Sequence, residues 1–180
     1  MDLKERAKKI KMIIMDVDGT LTDGTLLVMP DGEELKSYHV KDGTGILLAH
    51  LAGFKTAIIT GKVSESLKRR AEKLRIAEVY QGIFDKMKAL EEIMKKHGLA
   101  VEEIAYIGDD VGDYEVIRRV GLAAAVRDAH PSIKKSCHFL CENKGGKGAV
   151  REFIDFILDS QEKWKEVDAR FMELKDKINI

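Results

Sequence analysis

The chain has 180 residues, 44% hydrophobic and 34% charged, a length and balance that suit one domain, residues 1–180, with a sizeable core. Lysine plus arginine and aspartate plus glutamate both number 31, so no global field recruits nucleic acid or an anionic membrane, and any anion site must be local. The apolar runs are far too short to span a membrane, and Met1–Lys11 is charged, without a signal-peptide core; a soluble, cytoplasmic protein is expected.

The first apolar run, Met12–Met15, reads as a buried strand that ends in Asp16-Val17-Asp18-Gly19-Thr20. Strand alternation would point Asp16 and Asp18 to one side. There they would raise each other's pKa unless a cation lay between them. Gly19 and Thr20 suit a sharp turn whose N–H groups face an anion. Next, Leu26–Met29 and Leu35–Val40 flank Pro30-Asp31-Gly32-Glu33, which predicts a β-hairpin over residues 25–40. An isolated hairpin is marginal, so it should pack on a neighbouring subunit or lie as a flap over its own site.

Further strands are expected at Lys55–Thr60, Glu78–Tyr80, Ile104–Ile107 and Leu122–Val126, and helices at about Gly43–Leu51, Ser64–Leu74, Lys86–His97 and Asp113–Val120. This alternation predicts an α/β, three-layer, Rossmann-like parallel sheet with helices on both faces. Ligands of such sheets bind beyond the carboxyl ends of the strands, where Asp16, Thr60 and Asp109 fall. Metal ligation is suggested by Cys137 and Cys141 flanking His138, but no second ligand pair exists. Structural zinc takes four ligands, so reduced thiols in a late buried strand are expected. Gly145-Gly146-Lys147-Gly148 leads into a helix from about Ala149. After Ile157, a helical extension over residues 161–180 repeats Trp164, Val167, Phe171, Leu174 and Ile178 on a heptad pattern. That seam must be buried on the parent domain or on another chain, and an intersubunit role is the favoured expectation.

Phosphate-ester hydrolysis needs a nucleophile, a proton donor, a metal and groups that hold phosphoryl oxygens. Asp16 suits the nucleophile and Asp18 the general acid and then base. Thr60 and Gly61 offer a hydroxyl and a flexible backbone, and Lys86 can neutralise charge at a helix start. Gly108-Asp109-Asp110-Val111-Gly112-Asp113 supplies the remaining carboxylates, for which Mg²⁺ is the natural ion. Each piece alone has a bland reading: Thr60 or Asp110 as a cap, Lys86 as a surface lysine. Their order together is hard to obtain without function.

With these motifs the sequence resembles the haloacid-dehalogenase-like phosphohydrolase superfamily. It is most similar to the small, capless phosphatases that act on 3-deoxy-D-manno-octulosonate 8-phosphate in lipopolysaccharide precursor synthesis. The matching stretches are residues 16–24, 40–43, 59–61, 80–82, 106–110 and 145–152. The resemblance implies Mg²⁺ held by Asp16, the Asp18 backbone carbonyl and Asp109, with Asp110 and Asp113 behind them. It implies a homotetramer in which the hairpins form a central barrel and a neighbour replaces a cap domain. It also implies a pocket for a phosphorylated sugar acid lined by His39, Val40, Lys41, Asp42, Gly43, position 62, Arg70 and Lys86. Two positions depart from the family pattern: Lys62 replaces an arginine, and Leu47 stands where a basic residue is common. Lysine cannot reproduce a bidentate arginine–carboxylate contact. Relatives acting on nine-carbon sugar-acid 9-phosphates also lack that arginine, so these are the alternative substrates.

Two other classes compete. A receiver domain also places carboxylates, threonine, lysine and Mg²⁺ around a phosphorylated aspartate, but its acidic pair is adjacent and its acceptor lies on a later strand. A non-catalytic oligomerisation module of a sugar-nucleotide pathway would be expected to have lost Asp18 or Lys86, and both are present.

Overall fold

The computed structural model describes residues 2–178, with side chains as far as Leu174. After a short helix α1 (Leu3–Ala7), strand β1 (Met12–Met15) is buried along its whole length. Four consecutive apolar residues with no polar face belong at the centre of a parallel sheet covered on both sides. β1 pairs in parallel with β4 (Lys55–Ile59) on one side and β6 (Ile104–Gly108) on the other. β5 (Glu78–Tyr80) extends the first side, and β7 (Leu122–Ala125) and β8 (Phe139–Leu140) the second, giving the order β5-β4-β1-β6-β7-β8. The chain therefore reverses its direction of sheet growth around β1, and the crevice at the carboxyl ends of β1, β4 and β6 is the switch point.

Helices α2 (Val40–Leu51), α7 (Ala149–Ser160), α1 and α8 (Trp164–Ile178) form one layer, and α4 (Lys86–His97), α5 (Tyr114–Arg119) and α6 (Pro131–Ser136) pack in a second. α3 (Glu65–Lys73) is capped by Ser64, which accepts the Leu67 N–H at 3.3 Å. α4 covers the expected residues and stops at Gly98, whose φ of +62° makes a left-handed cap. The expected α/β sheet is thus present, and no helix among the described residues is long and apolar enough to cross a membrane.

Several expectations need correction. The hairpin is shorter than the sequence suggests: only β2 (Leu27–Val28) and β3 (Glu34–Leu35) pair, as a separate two-stranded ribbon. Such a ribbon without neighbours has little to hold a longer ladder, and Val40 opens α2 instead of closing a strand. α2 starts three residues earlier than expected, and Gly43 lies in its first turn where a Cβ would overlap the Arg70 guanidinium. β8 is a two-residue edge strand, and the free thiols of Cys137 and Cys141 flank it instead of lying within it. His138 Nδ1 accepts the Ala123 N–H at 2.9 Å.

The C-terminal seam is interrupted after α7 by residues 161–163, with Glu162 at φ +54°. α8 then packs on its own domain along α2. Val167 is buried and Trp164 half-buried, whereas Phe171 is 42% exposed; the side chain of Ile178 lies outside the described residues. Lys163 Nζ donates to the Ala52 carbonyl at 2.6 Å and Arg170 to Leu51 at 2.7 Å. These cations satisfy carbonyls left open at the end of α2, which explains why the extension turns back on its parent.

Candidate active site

Asp16 follows β1 directly and its N–H still bonds to the Ile107 carbonyl at 3.0 Å, which fixes it at the mouth of the β1/β6 crevice. Lys86, the first residue of α4, reaches across the sheet and places Nζ 2.6 Å from both Asp16 Oδ1 and Asp113 Oδ1. All three side chains are at least nine-tenths buried. Asp113 Oδ1 also accepts Tyr106 Oη at 2.5 Å, and its Oδ2 accepts the N–H groups of Asp109 at 2.9 Å and Asp110 at 3.3 Å. Thr20 Oγ1 donates to Asp109 Oδ1 at 3.1 Å.

Asp16, Asp109 and Asp113 bring one ligand oxygen each to within 4.8 Å of one another. Burial and the Asp113 charge push Asp16 well above the usual carboxylate range, against the pull of Lys86. Burial and Asp113 push Asp109 up to about 6. Burial works against the charge on Lys86, yet the carboxylates of Asp16 and Asp113 outweigh it and raise the lysine. Three carboxylates around one lysine leave an excess of negative charge that a hard cation would relieve, and oxygen donors of this kind fit Mg²⁺. Because Asp113 already receives four donors, Asp16 and Asp109 are the carboxylates with capacity left for the ion.

The like-charge argument made for Asp16 and Asp18 is not what the structure shows. β1 ends at Met15, and the chain turns at Gly19 with φ +88°. The Asp18 side chain thereby leaves the carboxylate cluster and pairs with Lys36 of the hairpin. The charges that raise Asp16 come from Asp113 and Asp109.

The other expected site residues separate into groups. Thr60 is buried just past β4, and its Oγ1 accepts the Lys62 N–H at 3.4 Å; Gly61 is exposed beside it. Lys62 reaches Glu34 of the hairpin at 3.5 Å, beside a cleft of about 490 Å³ lined by Gly32–Glu34 and Lys62–Ser66. His39, Asp42, Gly43 and Arg70 gather on one shelf, with Asp42 buried and accepting the Arg151 N–H at 2.8 Å. His39 Nδ1 and Asp42 Oδ2 stand 3.9 Å apart, too far to bond, and both lack partners, as does Arg70 Nε. Val40, Lys41 and Asp110 are exposed, and Asp110 caps the short turn at Val111–Asp113.

Sequence reasoning missed Tyr106, Lys36 and the packing role of the Gly145–Gly148 loop. Gly146 N–H bonds to the Thr20 carbonyl at 2.9 Å, and a Cβ at Gly145 would overlap the Gly19 carbonyl. Tyr106 reads as an ordinary β6 core residue, and only its hydroxyl distinguishes it. A groove of about 580 Å³ lined by Lys8, Lys9, Lys55 and Lys163 lies at the opposite end of the strands and contains none of these carboxylates.

A parallel sheet with a buried aspartate beyond its central strand, a lysine across from it and carboxylates after the next strand marks a hydrolase of the phosphoryl-transfer class. Residues 56–154 match the haloacid dehalogenase-like hydrolase family. The 3-deoxy-D-manno-octulosonate 8-phosphate phosphatase KdsC of Yersinia pestis is 43% identical over 162 residues, covering 90% of this chain and 87% of that protein. Among solved structures, a HAD superfamily (subfamily III A) hydrolase from Legionella pneumophila superposes with a TM-score of 0.93 at 43% identity, covering 95% of this chain and 94% of that one. The Moraxella catarrhalis 3-deoxy-D-manno-octulosonate 8-phosphate phosphatase, in complex with magnesium, phosphate and KDO, gives 0.90 at 37% identity, covering 94% and 97%. The chain belongs to the haloacid dehalogenase-like hydrolase family.

Proposed function

We propose that this protein is a Mg²⁺-dependent phosphatase that converts 3-deoxy-D-manno-octulosonate 8-phosphate to the free sugar acid and inorganic phosphate. The observation that carries the reading is the buried Lys86 held 2.6 Å from both Asp16 and Asp113 at the switch point. A carboxylate oxygen of Asp16 attacks phosphorus, the ester P–O bond breaks, and Asp18 gives the leaving oxygen its proton. Asp18 then takes a proton from water as that water attacks phosphorus, and the P–O bond to Asp16 breaks to release phosphate. Lys86 holds Asp16 in place and offsets its charge. Asp16, Asp109 and the Asp18 carbonyl would hold Mg²⁺, with Asp110 and Asp113 behind them; when bound, the ion neutralises charge on the phosphoryl oxygens. Thr60 and Gly61 border the phosphoryl group.

The sugar acid is assigned to His39, Val40, Lys41, Asp42, Gly43, Lys62 and Arg70. One observation favours a second substrate: Lys62 is a lysine tied to Glu34 and offers no bidentate fork. A nine-carbon sugar-acid 9-phosphate is therefore the competing reading, and comparing phosphate release from the two esters decides between them. The exposed apolar side chains of the hairpin support a homo-oligomer, proposed to be a tetramer; a cytoplasmic location is part of the same proposal. Asp16→Asn is expected to lower turnover by at least about 10³-fold while leaving the fold intact. Undiminished phosphate release would remove Asp16 as the nucleophile.

A further inference from the structure

We infer that Lys36, on the hairpin, is a positioning residue that fixes the orientation of the Asp18 carboxylate beside the site. Its ammonium donates to Asp18 Oδ1. The Lys36 side chain is 2% exposed, against 25% for Asp18. A lysine withdrawn so completely from water needs a fixed partner to offset its desolvation, and Asp18 is the partner the structure gives it. The phosphoryl chemistry above leaves this cation unused, because Lys86 already serves Asp16 and Asp113. Asp18 Oδ2, in contrast, is buried and has no hydrogen-bond partner.

A carboxylate has two oxygens that exchange by rotation about one bond. With Oδ1 held by Lys36, that rotation stops and the carboxylate keeps one orientation beside the site. Proton transfer in the transition state depends on such placement to a fraction of an ångström. The Glu34–Lys62 pair, two residues before Lys36, links the hairpin to the loop after β4. The hairpin is in this sense part of the catalytic apparatus of its own chain, whatever else it packs against.

This inference rests on Asp18 being the acid and base, and the test separates the two claims. Lys36→Met, Lys36→Arg, Asp18→Asn and the Lys36→Met/Asp18→Asn double variant are assayed on two substrates. The sugar-acid 8-phosphate expels an alkoxide that needs a proton, and p-nitrophenyl phosphate expels a stable phenolate that does not. Asp18→Asn is expected to lose far more rate on the sugar ester than on the aryl ester. Lys36→Met is expected to show the same contrast, losing about tenfold or more in kcat on the sugar ester with little change in KM. Lys36→Arg should restore most of that rate, and the double variant should be no slower than Asp18→Asn alone. Thermal melting of Lys36→Met with and without Mg²⁺ verifies that the fold and metal site persist. Equal losses on both esters, or a change confined to KM, would overturn the role of Lys36 while leaving Asp18 standing. An Asp18→Asn enzyme without the leaving-group contrast would overturn the acid–base reading and this inference with it.

Discussion

Asp113 donates nothing to substrate in the proposed chemistry, yet it accepts four hydrogen bonds and so sets the positions of Lys86, Tyr106 and the Asp109 loop together. Gly19 is the matching constraint on the other wall. Its φ of +88° suits glycine, and a Cβ there would run into the Asp109 carboxylate. Gly19→Ala is expected to lower kcat/KM by about 10²-fold and to weaken Mg²⁺ binding, which steady-state kinetics across a Mg²⁺ titration will check. Asp16, Lys86 and Asp109 were legible from sequence because their residue types at strand and helix ends have few other uses. Tyr106 and Lys36 were not, since their importance lies in one hydroxyl and one ammonium meeting residues 7 and 18 positions away. The pairing of Asp16 with Asp18 was misread for a geometric reason: alternation ceases where the strand ends.

Among the elements, the hairpin exposes Leu26, Leu27, Val28, Met29 and Leu35, between 37% and 65% each. Apolar side chains clustered on a ribbon that cannot bury them alone are an interface in waiting. Val28→Asp is expected to shift the protein from a tetramer to smaller species by light scattering at micromolar concentration; a wild-type monomer would defeat the tetramer outright. The extent of this hairpin was over-read because the strand-like run in sequence continues to Val40, while the ladder needs a partner strand to continue with it. The C-terminal heptads were over-read similarly. Their spacing is compatible with any apolar surface, and the cations Lys163 and Arg170, which direct α8 onto α2, do not enter a hydrophobic pattern.

For the molecule as a whole, the order of strands and helices was recoverable from periodicity because the central strands β1, β6 and β7 are short apolar runs. Its sheet order was recoverable only as a class. The metal site couples to global stability. Asp109 is raised from 3.8 to about 6 and Asp16 is raised as well, so the native metal-free protein binds more protons than the unfolded chain across that window. Its stability should therefore fall as pH rises from about 4 to 6 and level off above the folded pKa values. Mg²⁺ at a hundred times its Kd stabilises by about 2.7 kcal/mol, roughly 5–10 °C in Tm for a chain of this size. That shift should be largest near pH 7.5 and shrink at pH 5, where protons compete for the ligands. Melting curves with Mg²⁺ and with EDTA at both values test this, and equal shifts would contradict it.

The contact between Gly145–Gly146 and the Gly19–Thr22 turn has a consequence for how the enzyme comes into being. The turn that follows Asp16 is synthesised before the loop that braces it, with residues 23–144 between them. Closing so long a loop is entropically slow to be rewarded. A nascent chain that already contains Asp16, Lys86 and Asp109 still lacks the brace for its turn. A chain released before Gly145 would carry Asp16, Lys86 and Asp109 without the contact that braces the turn beside them.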